Sequence, residues 1–490
     1  MSKLYVIGVG GTGTKCVETF VHLCAMGFVE DPSQVEIRIV DIDEGGGNFE
    51  RLKSVMGSYA AAREVVTLEK EQKEWFHPEL SFGQNSLWST RVQDDYGAND
   101  TLDQRMERAF LNEGERLLLR ALYGQRERSM DLGVGVRGLP RIGSLLCAQN
   151  MDLSKDVFWQ ELFGEIAMGE IQTHGARILL VGSLFGGTGA SCTPTIARTL
   201  SEWGDNRKIS LKIGMCLMLP YFQFQGTLTN QEVRARADHF IINTKAALRY
   251  YKDINILGIV DALYLLGDDI VPERSVRFAT GKSQQKNEAM PVELVAGAAI
   301  VNFLYGSGND PQIKYVKRNS TEDEVADGYR WGQFPEGEKI RRQMDQLLRF
   351  ALAFNRHFYR IALQGGDQVK ANACFNNFFG ASTFDNRATR EEWQTIMRPV
   401  QEYCDYFVSW ARQLKGTGMG MIDPNDLLPK DNLEEYKGDM SALAGRADNG
   451  LTRAVKWNYV FSCVNKFNPS SNELNRHGDF LNKIFGICKL

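Results

Sequence analysis

Apolar residues run almost unbroken from Lys3 to Gly8, recur at helical spacing from Thr14 to Gly27, and form a second short run from Val35 to Asp41. Two short apolar runs flanking one amphipathic period predict strand, helix and strand, the βαβ unit of a parallel sheet. From Arg51 to about Gly135 the chain turns polar and helix-prone, and Arg105–Arg120 carries apolar positions at helical spacing. This stretch reads as a helical insertion, 51–135, with no chemistry of its own. Alternation then resumes. A helix is expected over Val157–Met168, a strand over Ala176–Ser183, a helix over Pro194–Trp203 and a strand over Ile209–Leu219. A helix near Gln231–Tyr251, a strand at Val260–Leu266 and an apolar helix at Pro291–Tyr305 follow. Beyond them the pattern changes to long helical periods at Lys339–Leu363 and Arg390–Leu414, with few strand-like runs. The fold class is therefore α/β, a parallel-sheet domain followed by a helix-rich carboxyl-terminal domain.

Composition narrows the function classes. The chain has 490 residues, 43% of them hydrophobic and 24% charged, as in ordinary globular proteins of two or three domains. Its 57 basic and 61 acidic side chains leave a net charge of −4, so nucleic acid is not expected as the main partner. The longest nearly apolar window, Pro291–Gly306, contains Glu293 and falls short of the roughly twenty residues that cross a bilayer. No membrane span is expected. The amino terminus enters a strand directly, without a leader pattern, and a cytoplasmic location is the expectation. Nine cysteines and six histidines are scattered without C-x-x-C or H-E-x-x-H spacing, so no protein-ligated metal is expected.

Candidate chemistry sits in two glycine clusters. Gly8-Val9-Gly10-Gly11-Thr12-Gly13 fits G-x-G-x-x-G between a strand and a helix, where backbone N–H groups and the helix amino terminus can hold a phosphate. Alone, it suits a dinucleotide site, an adenylating enzyme or a nucleoside-triphosphate site equally. The second strand ends in Asp41-Ile42-Asp43, placing carboxylates beside that loop to meet a ribose hydroxyl or a metal-bound water. A second cluster, Gly186-Gly187-Thr188-Gly189-Ala190-Ser191, again follows a strand and precedes a helix. Two helix amino termini aimed at one pocket suit a triphosphate better than a single pyrophosphate.

The order of these motifs resembles the tubulin superfamily, most closely its bacterial cell-division branch and the wider group of bacterial tubulin-like proteins. Val6 to Gly13 looks like that family's first phosphate loop, and Val40 to Asp43 falls where its second loop carries an acid or asparagine. Arg137-Gly138-Leu139-Pro140-Arg141-Ile142-Gly143 is similar to its third loop, which closes on the γ-phosphate. Gly186 to Ser191 matches its signature loop, and Leu219 to Gly226, including Pro220, resembles its sugar-contacting loop. The resemblance covers roughly 1–310. It implies a nucleotide-binding domain over 1–290, a central helix and catalytic loop over 291–310 and a divergent carboxyl-terminal domain over 311–490. It further implies GTP or GDP as ligand, with Mg2+ held through the phosphates, and Asn287 as the reader of the guanine base.

In that family a subunit stacks head to tail on the next and completes hydrolysis of its neighbour's nucleotide. The resemblance thus implies a self-assembling, filament-forming GTPase, with Asn309 and Asp310 as the catalytic positions and Glu336 and Glu338 as the next acids in line. Two other readings stay open. Gly8–Gly13 followed by Val40–Asp43, Asn48 and Arg51 also resembles an ATP-using adenylating enzyme of the ubiquitin-activating type. A nicotinamide-dependent oxidoreductase would use the first glycine loop and one acid but leave the second loop without a role.

Overall fold

The computed structural model describes residues 3–42, 46–66, 74–89, 101–108, 111–132, 135–136, 138–173, 175–221, 237–268, 287–306, 312–317, 329–365, 369, 373–380, 384–419 and 476–489. Among the described residues, eight strands form one parallel sheet: β1 (Lys3–Val9), β2 (Gln34–Val40), β3 (Glu79–Ser81), β4 (Leu87–Trp88), β5 (Ala176–Ser183), β6 (Leu211–Met218), β7 (Ala262–Gly267) and β8 (Ile313–Lys317). The order is β3-β2-β1-β5-β6-β7-β8, with β4 also on β2. The order reverses at β1, between β2 and β5, which is where open α/β sheets bind ligands at their carboxyl edge.

The central strands are buried on both faces, and their side chains alternate between two cores. Leu4 and Val6 of β1, with Leu179 and Val181 of β5, enter one core; Tyr5, Ile7 and Val9, with Ile178 and Leu180, enter the other. The first core holds α1 (Gly10–Ala25), α2 (Gly47–Val66) and, further along the chain, α10 (Pro291–Tyr305). Gly214 of β6 has no side chain where the Phe303 ring lies, which lets α10 settle close to the sheet. Towards the second core lie α3 (Leu102–Arg108), α4 (Glu113–Leu122), α5 (Gln125–Arg128), α6 (Pro140–Asn150), α7 (Val157–Thr173) and α8 (Gly187–Arg207), while α9 (Ala237–Asp253) sends Ala247 and Tyr251 into the second core and Phe240 into the first. This is the α/β class expected, and beyond β8 the described elements are helical. Among the described residues no helix is long and apolar enough to cross a membrane.

Helices Arg387–Gly416 and Arg476–Ile487 pack on α2, Gly337–Leu352 packs on both of them, and all three share the first core. Trp75 stacks on Phe485 at 4.2 Å and donates its indole N–H to Asn482 at 2.8 Å. The expected helical period Lys339–Leu363 is broken by a π-helical turn at Ala353–Phe358. The polar stretch 51–135 also contributes strands β3 and β4 to the sheet, runs too short to stand out among polar neighbours.

His22, on the inner face of α1, lies 2.9 Å from the Tyr403 hydroxyl and packs on Trp410 at 4.6 Å between ring centroids. Complete burial pushes its pKa down to about 3 from 6.5, so the folded ring stays neutral while an unfolded one charges below 6.5. Between these values the unfolded chain binds more protons, so this contribution is complete above 6.5 and is lost as pH falls towards 3. Comparing pH 7 with pH 5, the wild type should lose about 2 kcal/mol more unfolding free energy than His22→Gln. Equal losses in denaturant titrations would remove His22 from that role.

Candidate functional site

Each glycine cluster opens its helix rather than preceding it. α1 begins at Gly10 and α8 at Gly187, several residues before the apolar periodicity places them. Glycine's weak helix propensity hides the first turn in the sequence, yet this turn carries the N–H groups that lack intrahelical partners. In α8 the expected start at Pro194 is corrected for a second reason. Pro194 cannot donate to the Ala190 carbonyl, and the Tyr251 hydroxyl of α9 donates to it instead, at 3.3 Å.

The two helix starts meet. Gly10 has φ +75°, and a Cβ there would lie 3.2 Å from the Gly189 nitrogen and 3.2 Å from the Thr188 Cβ. A Cβ on Gly13 would overlap the Val181 carbonyl of β5, which is how α1 comes so near the strand beside it. Gly11, Thr12, Gly186, Gly187 and Thr188 are half-buried, whereas Gly13 and Gly189 are buried. Asp41, at the end of β2, accepts a hydrogen bond from the Thr188 hydroxyl at 3.3 Å, so the second-strand acid joins the signature loop. Asp43 lies outside the described residues.

The third loop closes from the α8 side. Gly138 has φ +75°, and a Cβ on Gly187 would overlap Val136 and lie 3.2 Å from the Gly138 nitrogen. Leu139 caps α6 after a turn onto the Val136 carbonyl. Arg137 lies outside the described residues. On the α1 side, the Asn287 N–H donates to Asn48 Oδ1 at 3.1 Å, while Asn48 Nδ2 stands 3.3 Å from where a Gly11 Cβ would be. Pro220 follows β6 at the same sheet edge, next to Tyr221. Gly10–Gly13, Asp41, Gly138, Leu139, Gly186–Gly189, Pro220 and Asn287 thus share the carboxyl edge of the sheet.

Beneath this edge lies a buried polar network that the sequence reading missed. Lys15, one turn into α1, pairs with Glu293 of α10 at 2.6 Å, with side chains only 4% and 1% exposed. The Tyr221 hydroxyl donates to Glu293 at 2.8 Å and is hydrogen-bonded to Thr12. Burial, with the Glu293 charge beside it, holds that phenol well above its usual pKa, so it remains a donor. Thr12 is therefore turned into the network rather than left free. Glu18, whose pKa burial raises against the pull of Arg51, pairs with Arg51 at 2.7 Å, and Arg51 donates to the Asn287 carbonyl at 3.1 Å. Arg51, the first residue of the supposed insertion, thus braces the turn that leads into α10.

α10 runs back across the sheet. Its last carbonyls and that of Gly306 accept from the Arg177 guanidinium at 2.7–3.2 Å, at the start of β5 and hence the amino edge. Asn309 and Asp310 lie outside the described residues; Gly306 and Gln312, which bracket them, are held at this opposite edge, where Gln312 reaches the Leu257 and Val260 carbonyls. Glu336 and Glu338 start a helix whose Gln343 donates to Gly27, beyond the far end of α1.

No protein-family profile matches the chain, and no curated protein is similar to it in sequence. Similar solved structures include CetZ1 from Haloferax volcanii as a GDP-bound monomer, at 15% identity and TM-score 0.29, covering 61% of this chain and 58% of that one. CetZ from Methanosaeta thermophila is similar at 14% identity and TM-score 0.27, covering 55% and 46%. CetZ2 from Haloferax volcanii, a GTPγS-bound protofilament, is similar at 14% identity and TM-score 0.27, covering 61% and 58%. The match spans less than two thirds of the length of each of these proteins.

Proposed function

We propose that this chain is a tubulin-like GTP-binding protein of the bacterial type, a GTPase that assembles head to tail and completes hydrolysis between subunits. The observation that carries this reading is the contact between two glycine-built helix starts, Gly10–Gly13 and Gly187–Gly189, at one sheet edge. Two helix termini, whose first N–H groups have no intrahelical partners, concentrate positive potential where a triphosphate carries most charge. Asn287 would read the base, Pro220 would lie by the sugar, and Asp41 and Asp43 would orient water on a Mg2+ held by the phosphates.

The span of α10 favours catalysis between subunits. Its fifteen residues, Pro291–Tyr305, span about 22 Å, so the bracket around Asn309 and Asp310 stands at the edge opposite the phosphate loops. A second copy stacked on the site would bring that edge to the nucleotide, a heterologous contact that propagates as a filament. The place of action would be the cytoplasm.

Identifying the nucleotide that copurifies with the protein tests the reading. Guanine nucleotide is expected, with filaments appearing by electron microscopy on adding GTP. Adenine nucleotide would instead indicate an adenylating enzyme, and NAD an oxidoreductase.

A further inference from the structure

Asn243 of α9 belongs to none of the glycine motifs, yet its side chain joins two of them. Its Nδ2 group donates to the Gly138 carbonyl at 3.0 Å and to the Phe185 carbonyl at 3.3 Å. Both partners are acceptors only, so the amide's two N–H bonds fit and its oxygen would not. Gly138 belongs to the third loop; Phe185 immediately precedes the signature loop. The same two loops touch where Gly187 faces Val136 and Gly138, so one carboxamide spans a contact that is already close. In a trans peptide the next N–H points opposite to the carbonyl, so the bond to Phe185 also directs the Gly186 N–H away from α9.

We propose that Asn243 is a positioning residue that clamps the third loop onto the signature loop and thereby sets the preference of the site for triphosphate over diphosphate. The inference rests on the nucleotide reading above. Asn287 and Asn48 adjoin Gly11 on the α1 side, whereas Gly138 lies beyond Gly187 on the α8 side. With Asn287 reading the base, as proposed above, the phosphate chain would run from the α1 side across Gly187 towards Gly138 and end on this loop. Loosening this loop costs contacts that only the triphosphate makes. Asn243→Ala removes both donors, and Asn243→Asp turns an acceptor charge towards two carbonyls.

Calorimetric titration with GTPγS and with GDP, on the full chain, tests this. For Asn243→Ala, GTPγS affinity should fall about tenfold, the scale of two lost neutral hydrogen bonds, while GDP affinity changes less than about twofold. Asn243→Asp should shift the ratio further in the same direction. The thermal midpoint of the nucleotide-free variants separates positioning from folding, because a purely structural residue would lower both affinities together or neither. Should Asn243→Ala not fold, Asn243→Ser keeps one donor and carries the comparison with a smaller shift. An unchanged affinity ratio in folded variants overturns the clamp while leaving the nucleotide reading intact. A wild type that binds neither GTPγS nor GDP overturns both, and its own titration reveals this first.

Discussion

Lys15→Met should destabilise the protein by about 3–5 kcal/mol, because it leaves the Glu293 carboxylate buried without its cation. The Tyr221 hydroxyl alone cannot replace an ammonium, and the surroundings of Glu293 admit almost no water. Removing both charges should be far milder. In Lys15→Met/Glu293→Met the paired desolvation penalty disappears with the attraction, and apolar side chains of similar length fill the space between α1 and α10. Urea unfolding of the wild type, both single variants and the double variant measures the coupling. If the double variant loses as much as the two singles together, the ion pair is not the unit argued here. The consequence reaches the site, since Glu293 also contacts Tyr221, which contacts Thr12 in the phosphate loop.

Gly187→Val should lower GTP affinity by about a hundredfold or more while the protein stays folded. A side chain at this position meets Val136 and the Gly138 backbone, so the third loop is displaced from the signature loop. Two hydrogen bonds to a charged phosphate, at about 1.5 kcal/mol each, account for that factor. Gly189 is the poorer position to test. A Cβ there would press against the backbone of Ser183 at 2.6 and 2.8 Å, so loss of binding would be confounded by loss of fold. Binding within about threefold of wild type in a folded Gly187→Val protein would remove this loop from the ligand site.

Much of the sheet was legible because parallel strands buried on both faces leave continuous apolar runs. The strand Ala176–Ser183 ends where the pattern ends it, and so does the apolar helix Pro291–Tyr305. The helix starts at Gly10 and Gly187 were not, since glycine carries no periodic signal and only the tertiary environment winds it into a first turn. Lys15 and Glu293 did leave a trace. Glu293 is the one charge of α10, and Lys15 and Glu18 are the charges of an otherwise apolar α1, and buried charges need partners. Which partner each takes was hidden, because α1 and α10 lie far apart in the chain. Asn48 and Arg51 meet the Asn287 backbone across more than two hundred residues, and Asn243 reaches Gly138 across 105. Carbonyl partners of this kind have no sequence signature, so the loops could be recognised while the side chains that brace them could not.

Amide hydrogen exchange read by mass spectrometry, with and without saturating GTPγS, addresses the joint use of the two loops most directly. Peptides covering Gly10–Gly13 and Gly187–Ala190 should gain protection together and at the same nucleotide concentration, because both helix starts would face one phosphate chain. Protection of one segment alone, or of neither while the nucleotide binds elsewhere, would contradict a shared site.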